Sequence, residues 1–226
     1  MTTSHNPLKA VLFDMDVTLI NSLPLTMEAF RHGLKTQGTS RTDDEIMAYF
    51  GLGEDEIFKR LLGDNAMARS AYLECAQYTQ THLSAAVMHD GMLDLVQTLH
   101  ARGIPMGIVT GRSRPTTEIL LKHHGLWDPR GPIQIVITHN EVKNGKPDPE
   151  GILKALAHLG VSSGSAMYVG DTWMDVRAAR EAGVLAAAAL WDGLAEEDRI
   201  LAESPDVSVA TAGELLQRIL ARLQLP

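Results

Sequence analysis

The pattern that most constrains the fold is an alternation of short apolar runs with amphipathic segments, which continues from about residue 90 to residue 190. Each apolar run has the length of a strand buried on both faces, and each intervening segment carries apolar residues at helical spacing. The predicted strands are 10–13, 106–109, 133–137, 166–169 and 184–190, and the predicted helices between them are 92–101, 115–123, 149–159 and 175–182. Strands that alternate with helices are typical of a parallel sheet. We therefore expect an α/β fold with a doubly wound, Rossmann-like parallel sheet.

The segment between the first strand and residue 90 has a different pattern. Met27, Phe30 and Leu34 recur at helical spacing, and the sequence from Thr42 to Glu45 is a capping box that predicts the start of another helix. Four helices and no strand are predicted here, and four consecutive helices can pack as a compact bundle. We therefore expect residues 1–20 and 90–226 to form the α/β core, with residues 21–89 inserted as a separate helical domain.

Composition and charge exclude some classes of partner. Only 5% of the residues are aromatic, the formal net charge is −8, and no basic run interrupts it, so a nucleic-acid partner is not expected. The single Cys75 is expected to be a buried structural residue and fits a reducing compartment. No signal-peptide pattern is present, and the longest apolar stretch, 183–191, is too short to span a membrane. We expect a cytoplasmic monomer or homodimer without a membrane partner.

Polar residues follow the predicted strands where each one ends. In open α/β sheets the ligand crevice lies at the carboxyl ends of the strands. The residues that we expect at this edge are Asp14, Asp16 and Thr18 after the first strand, Thr110 and Gly111 after the second, Lys146 beyond the third, and Asp171, Thr172 and Asp175 after the fourth.

This set of residues favours phosphate chemistry. Its four acids outnumber the single Lys146, so either some are protonated or a divalent cation lies among them. Because the candidate ligands are all oxygens, with neither His nor Cys, the pattern favours Mg²⁺ over zinc. A bound cation, a lysine, a hydroxyl and backbone N–H groups suit a phosphoryl group, and a carboxylate in such a site can attack phosphorus.

Four ordered segments carry a resemblance to a known family. Asp14-Met15-Asp16-Val17-Thr18, Thr110, Lys146 and the segment from Gly170 to Asp175 resemble the four motifs of the haloacid dehalogenase-like (HAD) hydrolase superfamily. The helical segment between the first and second motifs resembles the cap domain of its phosphoglycolate-phosphatase-like branch. Each motif is weak alone, whereas four in order on the predicted strands are specific.

The resemblance implies a role for each catalytic candidate. Asp14 would be the nucleophile that forms an aspartyl-phosphate, and Asp16 would protonate the leaving oxygen and then activate water. Thr110, Gly111 and Lys146 would hold the transferring phosphoryl group. Residues 21–89 would close over the site as a cap.

The resemblance also implies a magnesium site and one departure from the family. Asp171 would bind Mg²⁺ together with the Asp14 carboxylate and the Asp16 backbone carbonyl, and Asp175 would support the ion directly or through water. Val17 stands where the family pattern has glycine, so we expect the turn that carries Asp16 to be shaped differently.

The expected function is that of a Mg²⁺-dependent phosphatase for a small phosphorylated metabolite, with a phosphoglycolate-like phosphomonoester as the first candidate. The alternatives of the same fold are a pyrophosphatase, a β-phosphoglucomutase-like mutase and a binding protein whose catalysis is weakened at Val17. Thr18 disfavours the mutase because that branch usually has Val there. A phosphoacceptor signalling domain is disfavoured because Asp14 follows the first strand. Arg112 and Arg114 either reach the substrate from the rim or lie on the surface.

Overall fold

The computed structural model describes residues 7–193 and 196–223. The strands are β1 (Ala10–Phe13), β2 (Ile20–Asn21), β3 (Val87–Met88), β4 (Met106–Val109), β5 (Ile133–Ile137), β6 (Ala166–Gly170), β7 (Leu185–Ala189) and β8 (Val207–Val209). The α-helices are α1 (Leu23–Thr36), α2 (Asp43–Met47), α3 (Glu54–Leu62), α4 (Ala66–Thr81), α5 (Met92–Ala101), α6 (Arg114–His123), α7 (Glu150–Leu159), α8 (Trp173–Ala182), α9 (Glu197–Ala202) and α10 (Ala212–Leu220). Within the described residues, no helix is both long enough and apolar enough to cross a membrane.

Six of the strands form one parallel sheet in the order β5-β4-β1-β6-β7-β8. Strand β1 lies in the middle, and all four of its residues are buried. Val11 and Phe13 face one hydrophobic core, whereas Ala10 and Leu12 face a second core on the other side of the sheet, as the alternation of side chains along a strand requires. The predicted doubly wound α/β fold is confirmed.

The helices between β2 and β3 enclose a third hydrophobic core. Residues 22–86, which include these helices, are here called the helical insertion. Phe30 on α1 packs against Phe58 on α3, with ring centroids 5.0 Å apart, and Cys75 on α4 is buried in the same cluster. The capping box predicted at Thr42 is present at the start of α2. Burial raises the pKa of the Cys75 thiol, which leaves it a small apolar side chain.

The prediction that the segment from about Leu23 to Met88 contains no strand is wrong, because β3 lies at its end. Strands β2 and β3 pair antiparallel at the base of the insertion, with Ile20 opposite Met88 and Asn21 opposite Val87. Two residues are too few to show a periodicity, so the sequence pattern carried no signal for them. The elements after residue 190, which are α9, β8 and α10, were not predicted either.

Candidate active site

Three neighbouring strands place the predicted site residues at one edge of the sheet. Asp14 follows β1, Thr110 follows β4 and Asp171 follows β6, and both β4 and β6 pair with β1. The backbone N–H of Asp14 donates to the carbonyl of Val169 at 2.8 Å, so the ladder between β1 and β6 continues as far as this carboxylate. The parallel sheet therefore gathers residues that lie up to about 160 positions apart in the chain.

Lys146 lies between two carboxylates at the centre of the site. Its Nζ is 2.6 Å from Oδ1 of Asp14 and 2.6 Å from Oδ1 of Asp175. It also donates to the hydroxyl of Tyr168 at 3.2 Å, and that hydroxyl in turn lies 3.0 Å from Asp175. Burial alone would lower the pKa of Lys146, but the carboxylates of Asp14 and Asp175 raise it well above its usual value. The ammonium is therefore held charged beside Asp14.

Asp175 supports Lys146 and the start of α8. Its side chain is buried, and Oδ2 accepts hydrogen bonds from the backbone N–H and the hydroxyl of Thr172, at 3.0 and 2.5 Å. Thr172 and Asp175 thus form a capping box on α8. Since both carboxylate oxygens of Asp175 already accept from protein donors, the structure favours an indirect part in any metal site.

Asp14 and Asp171 are crowded with negative charge. The pKa of Asp14 is raised to about 7, chiefly because the carboxyl is buried; Lys146 opposes this rise, whereas Asp175 and Asp16 add to it. Burial also raises the pKa of Asp171 well above its usual value, and the carboxylates of Asp14 and Asp175 raise it further. The hydroxyl of Thr18 donates to Oδ1 of Asp171 at 2.7 Å. Two buried carboxyls that are costly to ionise together favour a cation between them.

The donor set fits a divalent cation that keeps much of its water. Within residues 7–193 and 196–223, no three His, Cys, Asp or Glu side chains are grouped as metal ligands. The oxygens that remain for an ion are those of Asp14 and Asp171, together with backbone carbonyl groups. Mg²⁺ is usually bound through one or two carboxylates and retains several waters. Two carboxylates therefore suit Mg²⁺ better than they suit an ion whose ligands all come from the protein.

Asp16 is held by Arg112 rather than by Lys146. Nε and Nη2 of Arg112 donate to the Asp16 carboxylate, at 3.0 Å to Oδ2 and 2.9 Å to Oδ1. The hydroxyl of Ser22, just before α1, also donates to Asp16. The side chains of Thr26 and Glu54, both on the helical insertion, accept from the same guanidinium. Asp16 is therefore oriented from the core and from the insertion at once.

The two arginines that were candidates for the rim of the site differ in burial and in partners. Arg112 is only 7% exposed, so a surface position for it is wrong: its two carboxylate partners, Asp16 and Glu54, draw it inward. Arg114 is partly exposed and pairs with Glu141, whose Oε1 lies 2.7 Å from Nε. Arg114 does not line the main cavity of the site.

Thr110 and Gly111 lie where β4 meets the insertion. Thr110 is buried, and its hydroxyl accepts from the backbone N–H of Arg112 at 3.2 Å. A Cβ atom on Gly111 would lie 2.7 Å from the carbonyl oxygen of Gly51 in the insertion. Only glycine fits so close an approach between the two backbones.

Val17 adopts the left-handed conformation that glycine would permit, with φ at +63°. Its carbonyl accepts a hydrogen bond from Nε1 of Trp191 at 3.3 Å. The expected change in the shape of this turn is not seen in the backbone angle of Val17, which stays in the region that glycine favours and is strained there.

Sequence reasoning did not single out Glu54, Ser22 and Tyr168 as site residues; it placed candidate substrate contacts only in the ranges 21–26 and 42–59. Glu54 begins α3 beside two other acids, Asp55 and Glu56, and three acids in a first helical turn ordinarily indicate only a favourable dipole interaction. Its pairing with Arg112 spans 58 positions, so no local pattern announces it. Tyr168 lies inside the apolar strand β6, where the sequence pattern gives no sign of a polar role.

A cavity of about 470 Å³ lies over the site residues at the edge of the sheet. Its floor includes Asp14, Thr110, Lys146 and Asp171, and its other wall is formed by the helical insertion. Polar groups that converge at the base of such a cavity are typical of a small-molecule site.

Comparison with known proteins gives a consistent family. A family model described as haloacid dehalogenase-like hydrolase matches residues 11–189. The pyrophosphatase PpaX of Anoxybacillus flavithermus is 30% identical over 211 residues, which cover 92% of this chain and 95% of the relative.

Two solved structures share the fold. CbbY from Rhodobacter sphaeroides, determined in complex with phosphate, has a TM-score of 0.79 at 22% identity and covers 92% of this chain and 96% of its own. A predicted phosphoglycolate phosphatase from Haemophilus somnus has a TM-score of 0.78 at 18% identity, with coverage of 93% and 97%. Together with the ordered motifs at one sheet edge, the match to the family model is decisive: the chain belongs to the haloacid dehalogenase-like hydrolases.

Proposed function

We propose that this protein is a Mg²⁺-dependent phosphatase that hydrolyses a small phosphomonoester through an aspartyl-phosphate on Asp14. The observation that carries the proposal is the contact between Lys146 and Asp14, in which Nζ lies 2.6 Å from Oδ1 at the base of the cavity. A charged lysine beside a buried carboxylate provides a cation for phosphoryl oxygens where that carboxylate attacks.

The proposed reaction has two steps, transfer of the phosphoryl group to Asp14 and hydrolysis of the aspartyl-phosphate. In the first step an Asp14 carboxylate oxygen forms a bond to phosphorus, the bond from phosphorus to the ester oxygen breaks, and the leaving oxygen takes a proton from Asp16. In the second step Asp16 takes a proton from water, whose oxygen attacks phosphorus and displaces Asp14. The products are an alcohol and inorganic phosphate, and Asp14 and Asp16 return to their starting states.

Other residues hold the reacting groups. Lys146 and Thr110, with the backbone at Gly111, contact the phosphoryl oxygens, and Asp175 keeps Lys146 in place. Asp14, Asp171 and the backbone carbonyl of Asp16 would hold Mg²⁺, which when bound offsets the negative charge of the phosphoryl group. Arg112 orients Asp16, whose carboxylate must face the leaving oxygen.

We assign the role of a cap to the helical insertion. Its residues form the wall of the cavity opposite the sheet, and the backbone of Gly51 touches Gly111. An insertion closed in this way excludes bulk water from the phosphoryl group. The cap therefore surrounds the leaving group of the substrate.

Pyrophosphate is the second candidate substrate, because PpaX proteins of similar length are named pyrophosphatases. A phosphoglycolate-type monoester corresponds to the names of several structural neighbours. The same Asp14 chemistry applies to both.

The test is hydrolysis of p-nitrophenyl phosphate with and without Mg²⁺, by the wild type, Asp14→Asn and the control Asp64→Asn. Asp14→Asn is nearly isosteric but cannot form a stable acyl phosphate, so we expect metal-dependent turnover to disappear in that variant alone. Asp64 is exposed in the insertion, and its variant should match the wild type. Turnover that survives in Asp14→Asn would refute the assigned nucleophile.

A further inference from the structure

The cavity over Asp14 is much larger than a phosphoryl group needs. It encloses about 470 Å³, within the range of sites that hold metabolite-sized ligands. The phosphoryl group is placed at its floor by Lys146 and Thr110, so the remaining volume belongs to the leaving group. The chemistry of that volume decides which leaving groups are accepted.

The charge that lines the cavity is strongly negative. Among the described lining residues three are basic, namely Lys146, Arg112 and Arg199. Seven are acidic, and these are Asp14, Asp16, Glu54, Asp171, Asp175, Asp192 and Glu196. A divalent cation at the floor would leave an excess of negative charge. An anionic leaving group would therefore enter against an unfavourable field.

Every basic group of this lining already has a carboxylate partner. Lys146 bridges Asp14 and Asp175. Arg199, at the exposed rim, has Nη1 2.9 Å from Glu196 and stacks on the ring of Trp173. Neither cation faces the wall formed by the insertion without a competing acid.

Arg112 is the basic group nearest to the insertion, and its hydrogen bonds go to Asp16 and to two insertion side chains, Thr26 and Glu54. Nε and Nη2 donate to Asp16, Nη2 also to Thr26, and Nη1 to Glu54 at 2.9 Å. Both carboxylate partners would have to be rearranged before the guanidinium could bind a carboxylate or phosphate of the substrate. Removing a partner from a buried ion pair is unfavourable.

The wall opposite the sheet is largely apolar. The insertion contributes six apolar side chains to it, Leu23, Phe30, Met47, Phe50, Leu52 and Ile57, and its polar side chains there are Ser22, Thr26 and Glu54. The rings of Phe30 and Phe50 lie with centroids 6.1 Å apart. Apolar side chains around the leaving group favour hydrocarbon over charged or strongly hydrated groups.

We propose that the leaving group of the natural substrate is an uncharged, largely apolar alcohol, and that phosphomonoesters with a second anionic group are poor substrates. This inference rests on the proposed phosphatase function and names its substrate class. The ester R–O–PO₃²⁻ and water yield R–OH and inorganic phosphate, with R seated against the apolar wall and Arg112 retained by Asp16 and Glu54.

A matched pair of substrates tests the proposal. n-Butyl phosphate and 4-(phosphonooxy)butanoate differ only in a terminal methyl group against a terminal carboxylate. With Mg²⁺ present, we expect kcat/KM to be at least about tenfold higher for n-butyl phosphate, because like charges at close range are strongly disfavoured. Phosphoglycolate and pyrophosphate, the candidates suggested by the names of relatives, also carry a second anionic group. The inference therefore ranks both below alkyl phosphates, and the same assay compares them directly. Added salt should narrow the gap by screening the repulsion.

A pair of variants tests whether the wall is responsible. Met47 lines the cavity and is 48% exposed, whereas Met67 on α4 is 45% exposed and does not line it. Met47→Lys should raise the relative kcat/KM for 4-(phosphonooxy)butanoate several-fold, and Met67→Lys should leave the ratio unchanged.

The outcomes separate the inference from the proposed function. Equal or faster hydrolysis of the anionic substrates, with p-nitrophenyl phosphate also hydrolysed, would overturn the inference and leave the phosphatase assignment intact. If no ester is hydrolysed, p-nitrophenyl phosphate included, the proposed function fails and the inference fails with it. Preference for n-butyl phosphate that is lost in Met47→Lys but kept in Met67→Lys would support both.

Discussion

Nη1 of Arg112, on the core, lies 2.9 Å from Oε1 of Glu54, on the helical insertion, and both side chains are buried. The other oxygen of Glu54 accepts from the backbone N–H and the hydroxyl of Ser113, at 2.7 and 2.6 Å, just before α6 begins. A carboxylate at a helix N-terminus is favoured by the helix dipole. The ion pair between Arg112 and Glu54 thus connects the insertion to the core, and the same guanidinium also holds Asp16.

Glu54→Gln should weaken this connection. Loss of the charge leaves Arg112 with one carboxylate in place of two, so we expect the free energy of unfolding to fall by about 2 kcal/mol in denaturant titrations. Glu56→Gln on the same helix is the control. Glu56 pairs with Arg60 near the surface, and such pairs contribute about 0–1 kcal/mol. Equal effects of the two substitutions would contradict a structural role for Glu54.

Arg112→Lys should impair proton transfer through Asp16. Lysine cannot make the bidentate contact that holds the carboxylate. Even a small displacement of a reacting group lowers the rate of the chemical step. We expect kcat to fall by about 10- to 100-fold for an alkyl phosphate, with KM changed less. p-Nitrophenyl phosphate, whose leaving group needs no proton, should be affected less. A similar loss for both substrates would indicate general damage to the site instead.

Val17→Gly should stabilise the protein. A β-branched residue with φ at +63° is strained, and relief of that strain should raise the free energy of unfolding by about 1 kcal/mol. The control is Val87→Gly in the extended strand β3, where glycine should lower the free energy of unfolding by about 0.5–1 kcal/mol. Both are read from chemical denaturation. Destabilisation at position 17 would show that Val17 contributes packing that outweighs its strain.

Stabilisation by Mg²⁺ should grow as the pH rises. The pKa of Asp14 is raised from 3.8 in the unfolded reference to about 7 in the folded protein, so without metal its contribution to stability is present below about pH 4 and is lost as the pH rises through 7. A cation that binds the ionised carboxylates of Asp14 and Asp171 offsets this loss. We expect a larger Mg²⁺-induced rise in melting temperature at about pH 8 than at about pH 5.

Asp171→Asn serves as the control for this measurement, since it removes one charged oxygen donor and should reduce the Mg²⁺-induced shift at both pH values. A shift independent of pH, or one retained in Asp171→Asn, would place the ion elsewhere.

The sheet was predictable where its strands are continuous apolar runs. The bounds predicted for β1, β4 and β5 agree with the structure, and β1 and β4 are buried at every residue, as such runs predict. The candidates at the strand ends follow from the same pattern, and the structure brings Asp14, Lys146, Asp171 and Asp175 together as expected.

The contacts around Arg112 were not predictable in the same way. Glu54 and Thr26 reach it from the insertion, and Ser22 reaches its partner Asp16. The positions of these residues depend on how four helices pack on the sheet. Local periodicity describes each helix but not its placement. The paired strands β2 and β3 escaped detection for a related reason, because each is defined only by its partner.

The central position of β1 sets the order in which this protein can become active during its synthesis. The strand that precedes Asp14 is synthesised before its two neighbours in the sheet, β4 and β6, which end at residues 109 and 170. Until both have emerged, an apolar strand remains with exposed edges. The helices of the insertion need only local contacts and can form earlier, whereas the surroundings of the nucleophile are assembled only after Gly170 has been synthesised.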